Sequence, residues 1–387
     1  MKTPVLLFCA FLTLCTHSPA AGEEFSSKTV VRVNDNFGRW EGNSASKKEG
    51  EQNLLYFSAS YAKSRYGITA LGTYAKTSYL YNGAGDDFNL ATMLDSAVSS
   101  FYKIKDAGGF NVRMGLDLNI PTGRAGFSEK ELGALFLDNV SRDLTLVTSF
   151  GKGLDVSPSI VVSKPGKRIV AGLGIKYTLT GEYDPTTERN NDNYSPGDVI
   201  KIIASMQGRL FKNTILLFDA DMETSSRDRQ SGQDVFKLGN LYDLNLRLIQ
   251  RYGSVRATYF ASYGFQNKNQ MLGTGGITTE DRNTNNNSYR LFINLHNQIV
   301  KWFGLQAIAG YKKILKNGYD SSSMLYDGGY SKGYFGMGFF FGVSRSLLCT
   351  VNLRTFRLFN DQDSWEPVGD TYTGYNVDVG FLYTFGR

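Results

Sequence analysis

The sequence predicts an all-β protein, an antiparallel up-and-down β-barrel of about sixteen strands that spans a membrane. Three observations predict this fold: two-faced strands, strand lengths that suit a tilted bilayer crossing, and tight turns that alternate with long polar loops. Mean hydropathy is −0.27, which argues against a helical membrane protein. A barrel hides its apolar band in alternation, so mild average polarity is expected of it.

The stretch 375–385 shows the clearest two-residue period and sets the phase for the rest of the chain. One parity is apolar or aromatic and the other polar, with Leu382 as the only exception: Tyr375, Val377, Val379, Phe381, Tyr383 and Phe385 against Asn376, Asp378, Gly380 and Thr384. Gly380, Tyr383 and Phe385 also resemble the insertion signal at the C-terminus of bacterial outer-membrane barrels. That signal normally ends on its Phe, whereas Gly386 and Arg387 follow here.

Short and long connections alternate along the chain, as they do between the periplasmic turns and outer loops of such barrels. Counted back from the last strand, every short turn falls on the same side; these turns are 65–67, 107–109, 164–167, 209–213, 251–253, 302–304 and 344–346. Fourteen strands is the alternative, because the stretches 30–39 and 154–163 are less certain. Pro158 removes a ladder donor from the second stretch, so we expect a β-bulge there.

The N-terminus predicts a cleaved signal peptide, residues 1–20, ahead of a single barrel domain, residues 21–387. Lys2, a short apolar run and Ser18-Pro19-Ala20 have the order of such a peptide. We therefore expect export to the outer membrane of a Gram-negative bacterium. Cys349 is the only cysteine of the mature chain, so no internal disulfide is possible.

The polar parity of the strands places charged side chains in the predicted lumen. These candidates for a permeation path are Arg113, Asp117, Lys176, Lys201, Asp219, Asp221, Glu223, Lys237, Asp243, Arg247, Arg256, Arg290, His296 and Arg354. They are interpreted either as facing acidic and basic rows that favour polar or zwitterionic solutes, or as pairs that brace the lumen. Both interpretations stay open.

The longest break in the strand pattern is 122–153. Ser128 and Glu131 have capping-box spacing ahead of an apolar run, 132–137, which predicts a short helix. Such a helix could fold into the barrel mouth, with Leu132, Leu135 and Phe136 as the plug or constriction. The alternative is a loop that packs against the rim.

Nothing in the sequence predicts an enzyme or a cofactor. Barrel hydrolases pair a His with a Ser, but His296, the only histidine of the mature chain, lies among Asn294 and Gln298. Asp361, Asp363, Glu366 and Asp370 lack EF-hand spacing, and no other metal motif is present. The net charge of +6 is spread without a dense basic block, so we expect no nucleic-acid partner.

Four segments resemble the porin and transporter family named for the meta-pathway of phenol degradation. They are Leu94-Asp95-Ser96, then 116–123 ending in Pro-Thr-Gly, then Phe150-Gly151-Lys152-Gly153-Leu154-Asp155-Val156, and the stretch 172–184. The resemblance covers about residues 94–184. It implies an outer-membrane channel for small, often hydrophobic, organic molecules and brings no catalytic residues.

The expected function is therefore passive passage of small, hydrophobic or aromatic molecules across the outer membrane. The expected partners are outer-membrane lipid and lipopolysaccharide, the barrel-assembly machinery and the permeant itself. The alternative is a closed barrel that acts as an adhesin or assembly scaffold through its outer loops.

Overall fold

The computed structural model describes residues 27–43, 48–81, 86–124, 126–128, 131, 141–184, 187, 193–362 and 369–385. The predicted signal peptide, residues 1–20, lies outside them. Almost all regular structure is β; the strands are β1 Lys28–Gly42, β2 Glu49–Lys63, β3 Tyr66–Tyr81, β4 Asp86–Met93, β5 Ser96–Ala107, β6 Phe110–Ile120, β7 Asp155–Pro165, β8 Ile169–Thr178, β9 Tyr194–Ser195, β10 Val199–Phe211, β11 Thr214–Ser225, β12 Asp228–Gln230, β13 Gln233–Lys237, β14 Leu241–Tyr252, β15 Val255–Gln266, β16 Gln270–Gly273, β17 Gly276–Thr279, β18 Ser288–Val300, β19 Phe303–Ile314, β20 Tyr330–Gly342, β21 Leu347–Asn360 and β22 Thr371–Phe385. The one described helix, α1, is Ser141–Leu144.

The wall is a closed antiparallel barrel of sixteen strands, which confirms the predicted fold and strand number. Each wall strand pairs with its neighbour in sequence, and β1 pairs with β22 over its whole length, from Thr29 opposite Phe385 to Gly42 opposite Tyr372. The fourth wall strand is divided: β4 and β5 both pair with β3, and Leu94 and Asp95 form a break between them. Closure leaves the first and last strands without a free edge.

The seven predicted tight turns lie between β2 and β3, β5 and β6, β7 and β8, β10 and β11, β14 and β15, β18 and β19, and β20 and β21. All lie at one end of the barrel, called here the short-turn end. The bulge expected at Pro158 is wrong. Pro158 stays opposite Leu116 in an unshifted register, and the ladder to β8 stops at Ser159. The missing N–H therefore interrupts one ladder without inserting a residue.

Five short strands in the long connections form a second sheet outside the barrel, in the order β17, β16, β13, β12 and β9. Lys237 ends β13 and lies opposite Gln270 of β16. Its prediction as a lumen residue on the same strand as Asp243 is wrong. The prediction counted Lys237 with β14, but 238–240 separate β13 from β14.

The outer surface of the barrel is apolar. Leu173 is 61% exposed, and Leu291, Phe335 and Ile175 are similarly exposed on other strands. Near the short turns, large aromatic side chains project outward; they include Phe211, Tyr252 and Trp302. An exposed apolar band bordered by aromatic residues is the surface of a barrel embedded in lipid. None of the described helical residues forms a helix long and apolar enough to cross a membrane.

We expect Leu173→Lys to destabilise the barrel in lipid by about 2–4 kcal/mol, because it places a charge near the middle of the outer face. Leu210→Lys is the matched control; Leu210 is exposed near the short-turn end, where the cost falls to about 0–1 kcal/mol. Denaturant unfolding in phospholipid vesicles measures both. Equal losses for the two variants would contradict the assignment of the outer face.

Candidate functional site: the barrel lumen and its inward loop

Part of the connection between β6 and β7 folds into the barrel; this part, residues 141–150, is called the strap. Asp143 lies between two lysines that face the lumen from neighbouring strands. Lys332 of β20 lies 2.9 Å from the Asp143 carboxylate and donates to its backbone carbonyl at 3.0 Å. Lys312 of β19 bonds the same carboxylate and donates to the Tyr330 hydroxyl at 2.9 Å. The strap is therefore held to this side of the wall by charge.

Beyond Asp143, the strap packs against lumen-facing apolar side chains. Leu144 is buried in a mainly aromatic cluster built from Trp40, Tyr79, Tyr330, Phe356, Leu358 and Tyr372. Val147 and Phe150 are buried in a second cluster with Phe127 and with Leu54, Ala75 and Leu90 of β2, β3 and β4. The strap thus runs along the inside of the wall from β19, past the β22–β1 seam, to β4.

Gln52 of β2 fixes the middle of the strap. Its side-chain amide donates to the Val147 carbonyl at 3.1 Å and accepts from the Val147 N–H at 3.0 Å, and it also bonds Thr77 at 2.7 Å. All three groups are buried. Because the amide satisfies both polar backbone groups of Val147, the strap can be buried at this point without an unpaired donor or acceptor.

Asp95, in the break between β4 and β5, closes the base of the inward loop. Its carboxylate accepts from the N–H of Gly123 at 3.0 Å, from the N–H of Lys152 at 2.6 Å and from the Asn119 amide at 3.0 Å. The start and the end of the loop are therefore tied to one carboxylate. Three of the four segments of the family resemblance supply these residues, so much of that motif has a structural role.

The glycines in the same motif allow a close approach of backbones. A Cβ on Gly153 would lie 2.4 Å from the Gly181 carbonyl carbon, and one on Gly181 would lie 2.4 Å from the Leu154 nitrogen. Asp155 then accepts from the Gly181 N–H at 3.0 Å. Any side chain at either glycine would push these two segments apart.

The strap side chains carry one strongly shifted carboxyl group. Burial alone raises the pKa of Asp143, but the Lys312 and Lys332 ammonium groups outweigh it and hold that pKa well below its usual range. At the base, burial lowers the pKa of Lys152, and nearby Asp155 and Asp95 act against that shift. Asp143 is thus ionised at every pH at which the protein would normally work.

The predicted plug residues Leu132, Leu135 and Phe136 lie outside the described residues. The capping-box contact ahead of them is present: Ser128 donates to Glu131 at 2.9 Å, and the Glu131 N–H donates to the Ser128 hydroxyl at 3.2 Å. The inward fold of this loop is therefore carried, among the described residues, by the segment after the predicted helix. Its anchor is an ion pair as well as apolar packing.

Apart from Lys237, the predicted lumen residues lie on wall strands, with the register and parity of the inward face. Several of them pair. Lys176 lies 2.7 Å from Asp117 across β7, and Lys201 lies 2.9 Å from Asp221 and 3.8 Å from Glu223. These contacts fit the brace interpretation. Apart from Asp117 on β6, the acidic residues lie on β11 and β14, whereas Arg247, Arg256, Arg290 and Arg354 lie on β14 to β21, so these two groups are adjacent along the wall rather than facing each other.

Four lumen arginines stand apart from this bracing. In the part of the chain that the structure describes, no carboxylate lies within 4.0 Å of the guanidinium of Arg247, Arg256, Arg290 or Arg354. Arg247 lies 5.8 Å from the Phe260 ring, which stacks on Phe292 at 4.7 Å, and Arg354 lies 5.5 Å from the Tyr334 ring. The arginine–aromatic track is the set Arg247, Phe260, Arg290, Phe292, Tyr334 and Arg354.

Several lumen aromatic rings lie over a glycine on the neighbouring strand. A Cβ on Gly310 would lie 2.2 Å from the Tyr334 ring, and one on Gly374 would lie 2.4 Å from the Phe356 ring. Gly50 opposite Trp40 and Gly304 opposite Phe340 repeat the arrangement. Rings that cover a neighbouring backbone pack against the wall. His296 stacks on Phe340 at 4.3 Å, so it lines the wall.

The anchors of the strap were not predicted from the sequence; they are Asp143, Lys312, Lys332, Gln52 and Asp95. The two lysines share the inward parity of their strands, and that parity could have found them. Asp143 carries no local signal, because its partners are about 170 and 190 residues away in sequence. Of the insertion-signal residues, Tyr383 and Phe385 project outward and Gly380 faces Asn34 and Thr350 across its two ladders.

The closed wall, the apolar outer face and the strapped, charged lumen define a bilayer-spanning β-barrel. The chain resembles solved structures of that fold at low sequence identity. Pseudomonas aeruginosa OccK7 (OpdD) has 10% identity and a TM-score of 0.45 over 93% of this chain and 99% of that one. The TodX monoaromatic hydrocarbon channel, in a deletion mutant, has 9% identity and a TM-score of 0.46 over 93% and 90%. A porin refined at 1.8 Å has 10% identity and a TM-score of 0.39 over 92% and 100%.

No protein-family model matches the chain, and no curated protein matches it either. The resemblance to the meta-pathway family therefore stays a prediction.

We expect Asp143→Asn to loosen the strap, because Lys312 and Lys332 would keep their charges with no carboxylate between them. Hydrogen exchange at the amides of 143–150 should become faster, with the opening free energy lowered by about 1–3 kcal/mol. Asp234→Asn, which removes an exposed ion pair in the outer sheet, is the control and should leave these amides unchanged. Unchanged exchange in Asp143→Asn would refute the electrostatic anchor.

The same anchor predicts a pH dependence. A carboxyl group with a lowered pKa contributes stability that is present above its ordinary pKa, 3.8, and is lost only as pH falls through the lower, folded-state value. Strap exchange, corrected for intrinsic rates, should therefore stay constant from pH 7 to about pH 4.5.

Proposed function

We propose that the protein is a passive outer-membrane channel for small molecules that carry an aromatic or hydrophobic ring, with a preference for those that also carry an acidic group. The arginine–aromatic track is the observation that carries this proposal. A sixteen-stranded barrel has the circumference for an aqueous path. The strap narrows that path along β19 to β4, which leaves the acidic wall and most of the track on the other side.

The chemistry of the track fits a flat anion. A guanidinium that has no carboxylate within 4.0 Å among the described residues keeps its planar fork of donors available for a carboxylate or phenolate, and the adjacent rings offer faces for stacking. Because Phe260 and Phe292 already stack on each other, a permeant ring can contact them from the lumen side. Each contact is weak and several follow one another, which suits passage better than tight capture.

The proposal includes export through the signal peptide, residence in outer-membrane lipid with lipopolysaccharide outside, and insertion by the barrel-assembly machinery through Gly380, Tyr383 and Phe385. It includes no enzymatic role. His296 stacks on Phe340, and the described residues hold no group of three or more His, Cys, Asp or Glu side chains that could bind a metal ion.

A closed barrel that acts as an adhesin or assembly scaffold is the second candidate. The five-stranded outer sheet favours it, because this sheet builds an ordered surface beyond the membrane wall. Purified protein in planar bilayers separates the two functions. A channel conducts ions and lets liposomes take up small solutes, whereas a closed scaffold does neither.

In a conducting protein, benzoate should reduce single-channel current more strongly than benzyl alcohol, because only benzoate combines a ring with a charge that arginine can bind. Arg290→Gln combined with Arg354→Gln should raise the half-blocking benzoate concentration about tenfold or more, since a charge-assisted hydrogen bond contributes about 1.5–3 kcal/mol. Arg282→Gln, at an exposed outer-loop ion pair, is the control. Equal block of both proteins would remove the acidic preference from the proposal.

Gly310→Val should lower the open-channel current, because the new side chain would push the Tyr334 ring off the wall and into the lumen. Gly333→Ala is the control, since a Cβ at Gly333 meets nothing within 4 Å. Planar-bilayer recordings measure both variants. A Gly310→Val channel with undiminished current would mean that the ring does not border the permeation path.

A further inference from the structure

The short-turn end of the barrel is strongly basic. Its seven turns, taken with their flanking strand residues, are 63–66, 103–110, 164–169, 209–214, 251–255, 300–303 and 342–347. They hold twelve lysine and arginine residues and a single carboxylate, Asp106. We call these cations the basic rim. The Asp106 carboxylate accepts from the Gly109 N–H at 3.1 Å inside its own turn, so it caps that turn.

The opposite end of the barrel is different. Cations in the long connections are matched by nearby carboxylates: Arg227 and Arg229 lie 2.9 and 3.0 Å from Asp234, and Lys313 lies 2.9 Å from Asp361. The protein therefore has an uneven charge distribution along the barrel axis. An excess of this kind costs repulsive energy in the isolated molecule, which points to an anionic surface that offsets it.

The distribution around the barrel identifies the kind of surface. Every one of the seven turns carries at least one lysine or arginine, so the basic rim surrounds the whole circumference. A protein that docks on one side would need cations in one sector only. A lipid leaflet contacts the barrel on all sides.

The position of the rim along the barrel axis also points to lipid. Eleven of the twelve cations are exposed; Lys103 is half-buried, lies opposite the lumen residue Arg113 and shares the Phe101 ring with it, so Lys103 faces the lumen rather than lipid. They lie beside the outward aromatic residues Phe211, Tyr252 and Trp302, and the Lys164 amine lies 5.6 Å from the outward Phe110 ring. Aromatic side chains of this kind lie at the headgroup level of a bilayer. The rim cations are thus at the height of lipid phosphates.

We propose that the basic rim binds anionic phospholipid headgroups of the inner leaflet and so fixes the depth of the barrel and concentrates these lipids around it. The side of the membrane rests on the outer-membrane placement proposed above, because short turns face the periplasm in such barrels. Binding needs no single pocket. Long flexible lysine and arginine side chains reach phosphates from the edge of the apolar band, and many weak contacts add.

The test uses spin-labelled lipids in phosphatidylcholine vesicles that contain the full-length mature protein. Electron paramagnetic resonance measures the association of labelled phosphatidylglycerol relative to labelled phosphatidylcholine. We expect the native protein to favour phosphatidylglycerol about threefold or more, and 1 M NaCl to reduce the ratio toward one. A ratio of one at low salt would overturn the proposal, and this measurement needs no variant to fold.

Two variants that lose the same number of positive charges show which end of the barrel causes the preference for phosphatidylglycerol. The rim variant changes Lys63, Lys164, Lys167, Arg168, Lys212 and Lys301 to Gln, and the loop variant changes Arg227, Arg229, Lys268, Arg282, Lys313 and Lys316 to Gln. The lipid preference should fall toward one in the rim variant and persist in the loop variant. The opposite result refutes the proposal. So does a native protein that retains an acidic periplasmic protein through the rim but shows no lipid preference.

Conductance recorded from the same preparations separates this inference from the proposed function. A conducting protein without lipid preference refutes the rim proposal alone. A protein that enriches phosphatidylglycerol but carries no current refutes the channel alone.

Discussion

The structure depends on one constraint: inside a bilayer, each backbone N–H and C=O of the wall has to bond to another strand, because lipid offers no partner. The pairing of β1 with β22 meets that requirement by leaving no open seam at the chain termini. Closure also fixes the phase of every other strand. A slip of one residue anywhere would turn the charged set outward and the apolar set inward, so the parity of Tyr383 and Phe385 determines the face of Lys312 or Arg354 many strands away.

Because the parity of one strand fixes the faces of the others, much of the wall could be predicted from the sequence. A period of two needs only local information, so wall strands, short turns and the inward parity of residues such as Asp117, Lys176 and Arg247 follow from the printed sequence. The sequence does not show that the strand ending at Lys237 joins the outer sheet, and Lys237 was misplaced for that reason. Pro158 lacks a ladder donor, as predicted. The register between β6 and β7 nevertheless runs through Pro158 without a shift, and only the ladder to β8 stops beside it, so no bulge forms.

The strap could not be predicted, since its energetics come from contacts between distant parts of the chain. The apolar run 132–137 suggested a hydrophobic plug, whereas the described anchor is Asp143 between two lysines. Parity puts Lys312 and Lys332 on the inner face, but it cannot show that Arg290 lies beside them and that a carboxylate from another loop arrives there. Burying that carboxylate is unfavourable alone and becomes tolerable only with both ammonium groups in place.

Charged side chains therefore have two different roles in this barrel. At the strap and at the Lys176–Asp117 and Lys201–Asp221 contacts, opposite charges are paired and hold elements in position. Along the arginine–aromatic track, the Arg247 and Arg354 guanidinium groups lie beside rings on the inward face, and among the described residues neither they nor Arg290 has a carboxylate within 4.0 Å. The glycines opposite Tyr334 and Phe356 make this possible, because rings that projected inward would fill the space a solute needs. A lumen that only required bracing would gain nothing from flattened rings or from arginines that, among the described residues, have no carboxylate within 4.0 Å. The proposed passage of an anion explains this arrangement better than stability does.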